Sequence, residues 1–211
     1  MASIFTKQYQ ALQKTLKSGN VHAVPKVIRV VVSVGVGKQR DNKVYTQAVV
    51  RDLQAITGQM PHERLARKAV SGFNVRQGNL VGYRVTLRGK RMEDFVTRFI
   101  NITLPRVRDF RGIALNSLDG QGNISVGMKE QLPFPEIRPE QTDVIFGVEI
   151  TFVTSAKTNT EGEALLRALG FPLTITGTAD DDATLDTVQS RRAREEAKHK
   201  VKEKQPKEAT T

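Results

Sequence analysis

"RLARKAVSGFNVRQGNLVGYRVTLRGKR", Arg64–Arg91, carries eight Lys or Arg residues and no carboxylate. Its two ends read as strands. Its middle, "SGFNVRQGNLVG", is built largely from Gly, Asn, Gln and Ser, which favour turns. In the second strand Tyr83, Val85 and Leu87 share one face, and Arg84 and Thr86 the other, with Arg88 following in phase. Such alternation marks a strand with one packed face and one polar face, as in an antiparallel sheet covered on one side. A long cationic loop between two such strands is either a disordered insertion or a feature that an anionic partner orders.

The surrounding chain extends this pattern. "VPKVIRVVVSVGVG" (24–37) is dense in Val and Ile and reads as a strand, with Ile28, Val30, Val32 and Val34 on one face. "VIFGVEITFVTSA" (144–156) reads likewise, with Val148, Ile150 and Phe152 opposed to Glu149, Thr151 and Val153. A further short strand falls at 123–128.

Helical spacing appears at 3–18 (Ile4, Tyr9, Leu12, Leu16) and at 43–57 (Val44, Ala48, Val49, Leu53, Ile56), the second capped by Asp41 or Asn42. It recurs at 91–103 (Met92, Phe95, Phe99, Ile102), closed by Pro105. A last helix starts near Thr160, where Thr160-Glu161-Gly162-Glu163 fits a capping box, and ends at Gly170. "EQLPFPEIRPEQ", with three prolines, must be loop or extended connector. The order predicts an α+β domain: a mainly antiparallel sheet with helices packed on one side and a long basic hairpin loop.

Residues 1–171 read as a single domain. Residues 172–211 read as a charged extension, disordered or weakly helical, because it holds too little apolar surface to offset the entropy of ordering. The net charge is +11, yet residues 172–211 contain eight Lys/Arg and eight Asp/Glu, so the excess belongs to the domain itself. So cationic a domain points to a nucleic-acid partner, ahead of an anionic membrane surface.

Other chemistries find little support. With no Cys there are no disulfides, thiolate metal ligands or thiol catalysis. The N-terminus lacks the apolar core of a signal peptide and no run is long enough for a membrane span, so a soluble cytoplasmic protein is expected. "SVGVGKQ" fails as a phosphate-binding loop: Val32 stands where the first Gly is needed, and Gln39 replaces the Ser or Thr after Lys38. As a dinucleotide fingerprint it fails at Arg40, which takes the third Gly position. His22, His62 and His199 have no His or Cys companion at three or four residues, so neither metal nor cofactor is expected. Glu93-Asp94 and Asp180–Asp182 read as solvated charge rather than acid/base pairs. No small-molecule substrate is implied.

Aromatic residues make up only 6% of the chain and none is Trp, so contact through shape, phosphates and 2′-hydroxyls of structured RNA fits better than base stacking. Charge and placement nominate Arg64, Lys68 and Arg88 as RNA contacts, with Arg106, Arg108 and Arg111 adding to the cationic surface. An RNA-modifying enzyme or a general RNA chaperone would use the same basic surface, but the enzyme lacks any cofactor loop or convergent acid/base group.

Several motifs together are more specific. "ITGQMPHERLARKAVSGFNVRQGNLVGYRVTLRGKRM", "LPRVRDFRGI", "SLDGQGNISVGMKEQLPFPEI", "TNTEGEALLRALGFP" and the strand "VPKVIRVVVSVGVG" resemble, in order and spacing, the 5S rRNA-binding protein family of the large ribosomal subunit, number five in the usual count, in its bacterial form. The resemblance spans about residues 4–172. It implies an antiparallel sheet backed by helices and a structural role. The implied partners are 5S rRNA, 23S rRNA in the central protuberance, peptidyl-site tRNA and a small-subunit head protein across the subunit interface.

On this resemblance Gln59 and Thr86 fall on the 5S rRNA surface. Ser33 does too, although the family usually has the longer Asn there. The tRNA-contacting loop is Ser71–Gly78, with Ser71, Gly72, Phe73, Asn74, Arg76, Gln77 and Gly78. The resemblance assigns nothing to the residues after 172.

Overall fold

The computed structural model describes residues 4–16, 20–142 and 144–174. The chain divides into a unit from Met1 to Leu173 and a second from Thr174 to Thr211. The reading of 172–211 as a weakly ordered extension therefore falls almost entirely outside the described residues.

Five strands form one antiparallel sheet: β1 (Val27–Gly35), β2 (His62–Leu65), β3 (Leu80–Leu87), β4 (Ile124–Met128) and β5 (Val148–Thr154), in the spatial order β2-β3-β1-β5-β4. The expected alternation is realised in β3 and β5. Tyr83, Val85 and Leu87 are buried, as are Val148, Ile150 and Phe152. They join a single core with helices α1 (Ile4–Thr15), α2 (Lys43–Thr57), α3 (Gly89–Arg98) and α4 (Asn159–Leu169). Five phenylalanines, Phe95, Phe99, Phe134, Phe152 and Phe171, tie α3, the proline-rich loop and β5 together through ring contacts of 4.9–6.5 Å. This is the predicted α+β architecture with helices on one side of the sheet.

Four local expectations are corrected. Ile28 is 47% exposed and Val27 is buried instead, because the β1–β5 register shifts between Val27 and Arg29. A bulge adds a residue and inverts the inward–outward phase beyond it. Val44 is 66% exposed, since the buried stripe of α2 starts only at Val49.

Past Arg98 the helix does not simply stop at Pro105. A π turn, Phe99–Thr103, leads into a last helical turn, Leu104–Arg106. The Leu104 N–H reaches back to the Phe99 carbonyl, and this wider turn comes just before the proline that cannot donate. The extra residue rotates the apolar face, so Thr103 and Leu104 are buried while Ile102 is exposed.

The cap of α4 is Thr158, whose hydroxyl accepts the Glu161 N–H, while the Glu161 carboxylate accepts the Lys157 N–H. The capping pattern is thus Thr158–Glu161, two residues earlier than expected. In α1, Phe5 and Leu12 are buried, with Tyr9 and Leu16 packed beside them. The Ile4 side chain lies outside those described.

Candidate nucleic-acid interface

The strand registers turn the uncovered face of the sheet into rows of side chains. One row runs His62, Arg84, Ser33, Glu149, Gly127 across all five strands. The next runs Thr86, Val31, Thr151, Ser125. Beyond it Arg29 pairs with Val153. All of these positions are exposed or half-buried, and the residues that alternate with them along β1, β3, β4 and β5 supply the core.

The charge on this face is uneven. Arg64, Arg84 and Arg88 stand on the β2–β3 side. Glu149 stands on β5, across Ser33 from Arg84. A polyanion following the face is therefore drawn to the β2–β3 edge and repelled from β5.

The row of Thr86, Val31, Thr151 and Ser125 carries no charge. Within it the Thr151 and Ser125 hydroxyls are hydrogen-bonded to each other at 3.0 Å.

Gln59 sits in the turn from α2 to β2. Gly58 ends α2 in the left-handed conformation, which needs no Cβ. The Thr57 hydroxyl donates to the Leu53 carbonyl (2.6 Å) and accepts the Gln59 N–H (3.3 Å), fixing the exit. With His62 opposite Arg84, two further residues along the same register bring this turn level with Thr86. Gln59 and Thr86 thus lie near one level of the sheet, with Ser33 one outer row away, opposite Arg84. Arg88 follows directly, exposed, as the residue before α3.

The long loop between β2 and β3 has internal structure of its own. The Ala66 N–H donates to the Asn79 carbonyl and the Gly78 N–H to the Ala66 carbonyl, so its base continues the hairpin. Val70 and Val75 form an antiparallel bridge around a short 3-10 turn, Ser71–Phe73. Asn74 closes that turn in the left-handed region, φ 52°, and the Arg40 guanidinium donates to its carbonyl at 2.8 Å.

Ser71, Gly72, Phe73, Asn74, Arg76, Gln77 and Gly78 are all exposed, and Phe73, at 80%, is a large apolar ring held in solvent. Lys68 is exposed on the outgoing limb. An open groove of about 730 Å³ lies between this loop and the β1–α2 turn, lined by Arg40, Asp41, Ser71, Asn74 and Arg76 among others.

The structure thus separates the predicted residues into two groups. Ser33, Gln59, Arg64, Thr86 and Arg88 belong to the sheet face and its β2–β3 edge. Lys68 and residues 71–78 belong to the loop, Lys68 on its outgoing limb.

Sequence reasoning missed Arg29, Ser125, Thr151 and Arg40. Alternation already put Thr151 on the outer face, but only the register shows which residues of other strands stand beside it. The role of Arg40 is a contact across 34 residues that no local pattern announces.

Among the described residues there is no group of three or more acidic or His residues placed to hold a metal, and no helix long and apolar enough to cross a membrane.

Residues 20–76 match the family model of Ribosomal protein L5, and residues 80–173 match the model of the same ribosomal family's C-terminus. The chain is 51% identical over 153 residues to the large ribosomal subunit protein uL5 of Carboxydothermus hydrogenoformans, covering 72% of this chain and 86% of that protein. It is 48% identical over 165 residues to the large ribosomal subunit protein uL5 of a Prochlorococcus marinus strain, covering 78% and 92%. On these matches, which take in the sheet and helices α2, α3 and α4, the chain belongs to the ribosomal protein L5 family, a structural and RNA-binding part of the large ribosomal subunit rather than an enzyme.

Proposed function

We propose that the chain binds 5S rRNA through the outer face of its sheet and helps attach that RNA to 23S rRNA in the central protuberance. In this reading residues 1–171 act as one RNA-binding domain in the cytoplasmic ribosome. Ser33, Gln59, Arg64, Lys68, Thr86 and Arg88 contact rRNA, Lys68 from the limb of the loop. The loop over residues 71–82 contacts peptidyl-site tRNA, and the domain takes part in a bridge to a small-subunit head protein.

The observation that carries the reading is the asymmetry of the sheet. Strands β1, β3, β4 and β5 send alternate, apolar side chains into one shared core, while among the described residues the opposite face is left without cover, largely polar, and cationic along the β2–β3 edge. Leaving that face open is consistent with a ligand that covers it. The loop is supported as a separate contact by its exposure and by the outward Phe73 and Arg76.

Two variants test the division. Gln59→Ala combined with Thr86→Val is expected to weaken 5S rRNA binding about tenfold or more while leaving folding intact, since neither side chain belongs to the core. Arg76→Ala is expected to leave 5S rRNA binding unchanged and to lower tRNA occupancy of the peptidyl site in assembled ribosomes. Loss of 5S rRNA binding in Arg76→Ala would overturn the division into two contacts.

A further inference from the structure

We propose that the uncharged row Thr86–Thr151–Ser125 reads ribose 2′-hydroxyls, and that Thr151 and Ser125 are specificity-determining residues of this face. The inference rests on the reading of the sheet as an RNA-binding surface. Four strands place Thr86, Val31, Thr151 and Ser125 side by side, at the inter-strand spacing of roughly 4.8 Å. Three of the four are hydroxyl residues, and none carries charge.

The chemistry of the row selects among the parts of a nucleic acid. It has no guanidinium or ammonium to neutralise phosphate, and the carboxylate of Glu149 lies in the adjacent row on the same strand as Thr151. It has no Asn, Gln or Arg to grip a base edge in bidentate fashion. It has no aromatic ring on which a base could stack. A hydroxyl both donates and accepts, and so does a 2′-OH, whereas a phosphate oxygen only accepts.

The Thr151–Ser125 hydrogen bond uses one of the pair's two protons. The other proton and the remaining lone pairs are left for a ligand. Thr151 is half-buried and Ser125 exposed, so both oxygens stand at the surface of a rigid sheet rather than on a loop. Phosphates are then drawn to Arg64, Arg84 and Arg88 on one side, and the sugars lie over the hydroxyl row.

The test uses the full chain, wild type and the Thr151→Val/Ser125→Ala double variant, with 5S rRNA transcripts carrying 2′-deoxynucleotides at random, sparse positions. Bound and unbound transcripts are separated and the deoxy positions that impair binding are mapped. Wild type is expected to select against a small set of deoxy positions. The double variant is expected to bind unsubstituted 5S rRNA about tenfold more weakly, to lose selection at part of that set, and to keep the same dependence of affinity on salt.

An unchanged interference map or unchanged affinity would overturn the proposal. So would a salt slope smaller by about one, which would assign the row to phosphate instead. If wild type itself showed no preference for 5S rRNA, the underlying reading would fall and this inference with it. If wild type bound normally and only the map were unchanged, this inference alone would fall.

Discussion

The guanidinium of Arg40, in the turn between β1 and α2, donates to the carbonyl of Asn74 at the apex of the β2–β3 loop, 2.8 Å away. Asn74 is one of the two described non-glycine residues with positive φ, and its carbonyl is held at the point where the loop reverses. The Arg40 side chain is only 18% exposed, although the hydrogen bond itself stands at the surface beside the open groove. Arg40→Ala should speed exchange of the Asn74 and Val75 amides about tenfold or more, since hydrogen bonds to charged groups contribute about 1.5–3 kcal/mol. Arg40→Lys should fall between. Thermal unfolding of the whole domain should shift by less than about 3 °C. Amide exchange by mass spectrometry checks this, and equal exchange in all three proteins would show that the contact does not hold the loop.

Glu149 is the carboxylate in the outer row that also holds Arg84 and Ser33. On an RNA-binding face it opposes the partner. Glu149→Gln keeps the shape and removes the repulsion, and should tighten 5S rRNA binding about two- to fivefold at low salt, with the gain shrinking as salt screens it. Weaker binding in this variant would mean that the carboxylate makes a favourable contact of its own.

Gly162, in the first turns of α4, packs against the turn at Gly122. A Cβ on Gly162 would stand 2.5 Å from Gly122 Cα and 2.7 Å from its carbonyl oxygen. Both obstacles are backbone, and the Gly122 carbonyl is held by the Thr154 hydroxyl and its N–H by Asn159. Ala is favoured over Gly in a helix by about 1 kcal/mol, but overpacking against fixed backbone costs about 1–3 kcal/mol. Gly162→Ala should therefore lower stability, by up to about 2 kcal/mol net, seen as a lower urea midpoint at unchanged slope. A raised midpoint would mean that the turn moves aside freely.

Much of this architecture could be read along the chain because it depends on periodicity. The alternation in Tyr83–Leu87 and Val148–Phe152 marked which face packs, and the spacing of Val49, Leu53 and Ile56 marked the inner side of α2. The failures lie where one residue is inserted into a regular pattern. The bulge at Val27–Arg29 and the π turn at Phe99–Thr103 each shift the phase by one, exposing Ile28 and Ile102. Neither has a local signature: Val, Ile and Phe look the same on both sides of the shift. Thr158 and Thr160 both begin a plausible capping box, and the choice between them depends on tertiary packing of the segment.

Of the interface, the cationic loop and the Thr86 face were legible from charge and alternation. The Arg40 latch and the Thr86–Thr151–Ser125 row were not, because they join residues far apart in sequence. The partner classes came from the resemblance of whole motifs, since charge alone indicates only an anion.

The most direct test of the central claim is a competition measurement. Binding of the full chain to 5S rRNA is titrated at several salt concentrations against a duplex RNA of equal length and charge. Saturable one-to-one binding is expected, with a preference for 5S rRNA of at least about a hundredfold and a steep fall of affinity with salt for both RNAs. Equal affinity for the two RNAs at every salt concentration would contradict it, and would leave only a basic surface without a chosen partner.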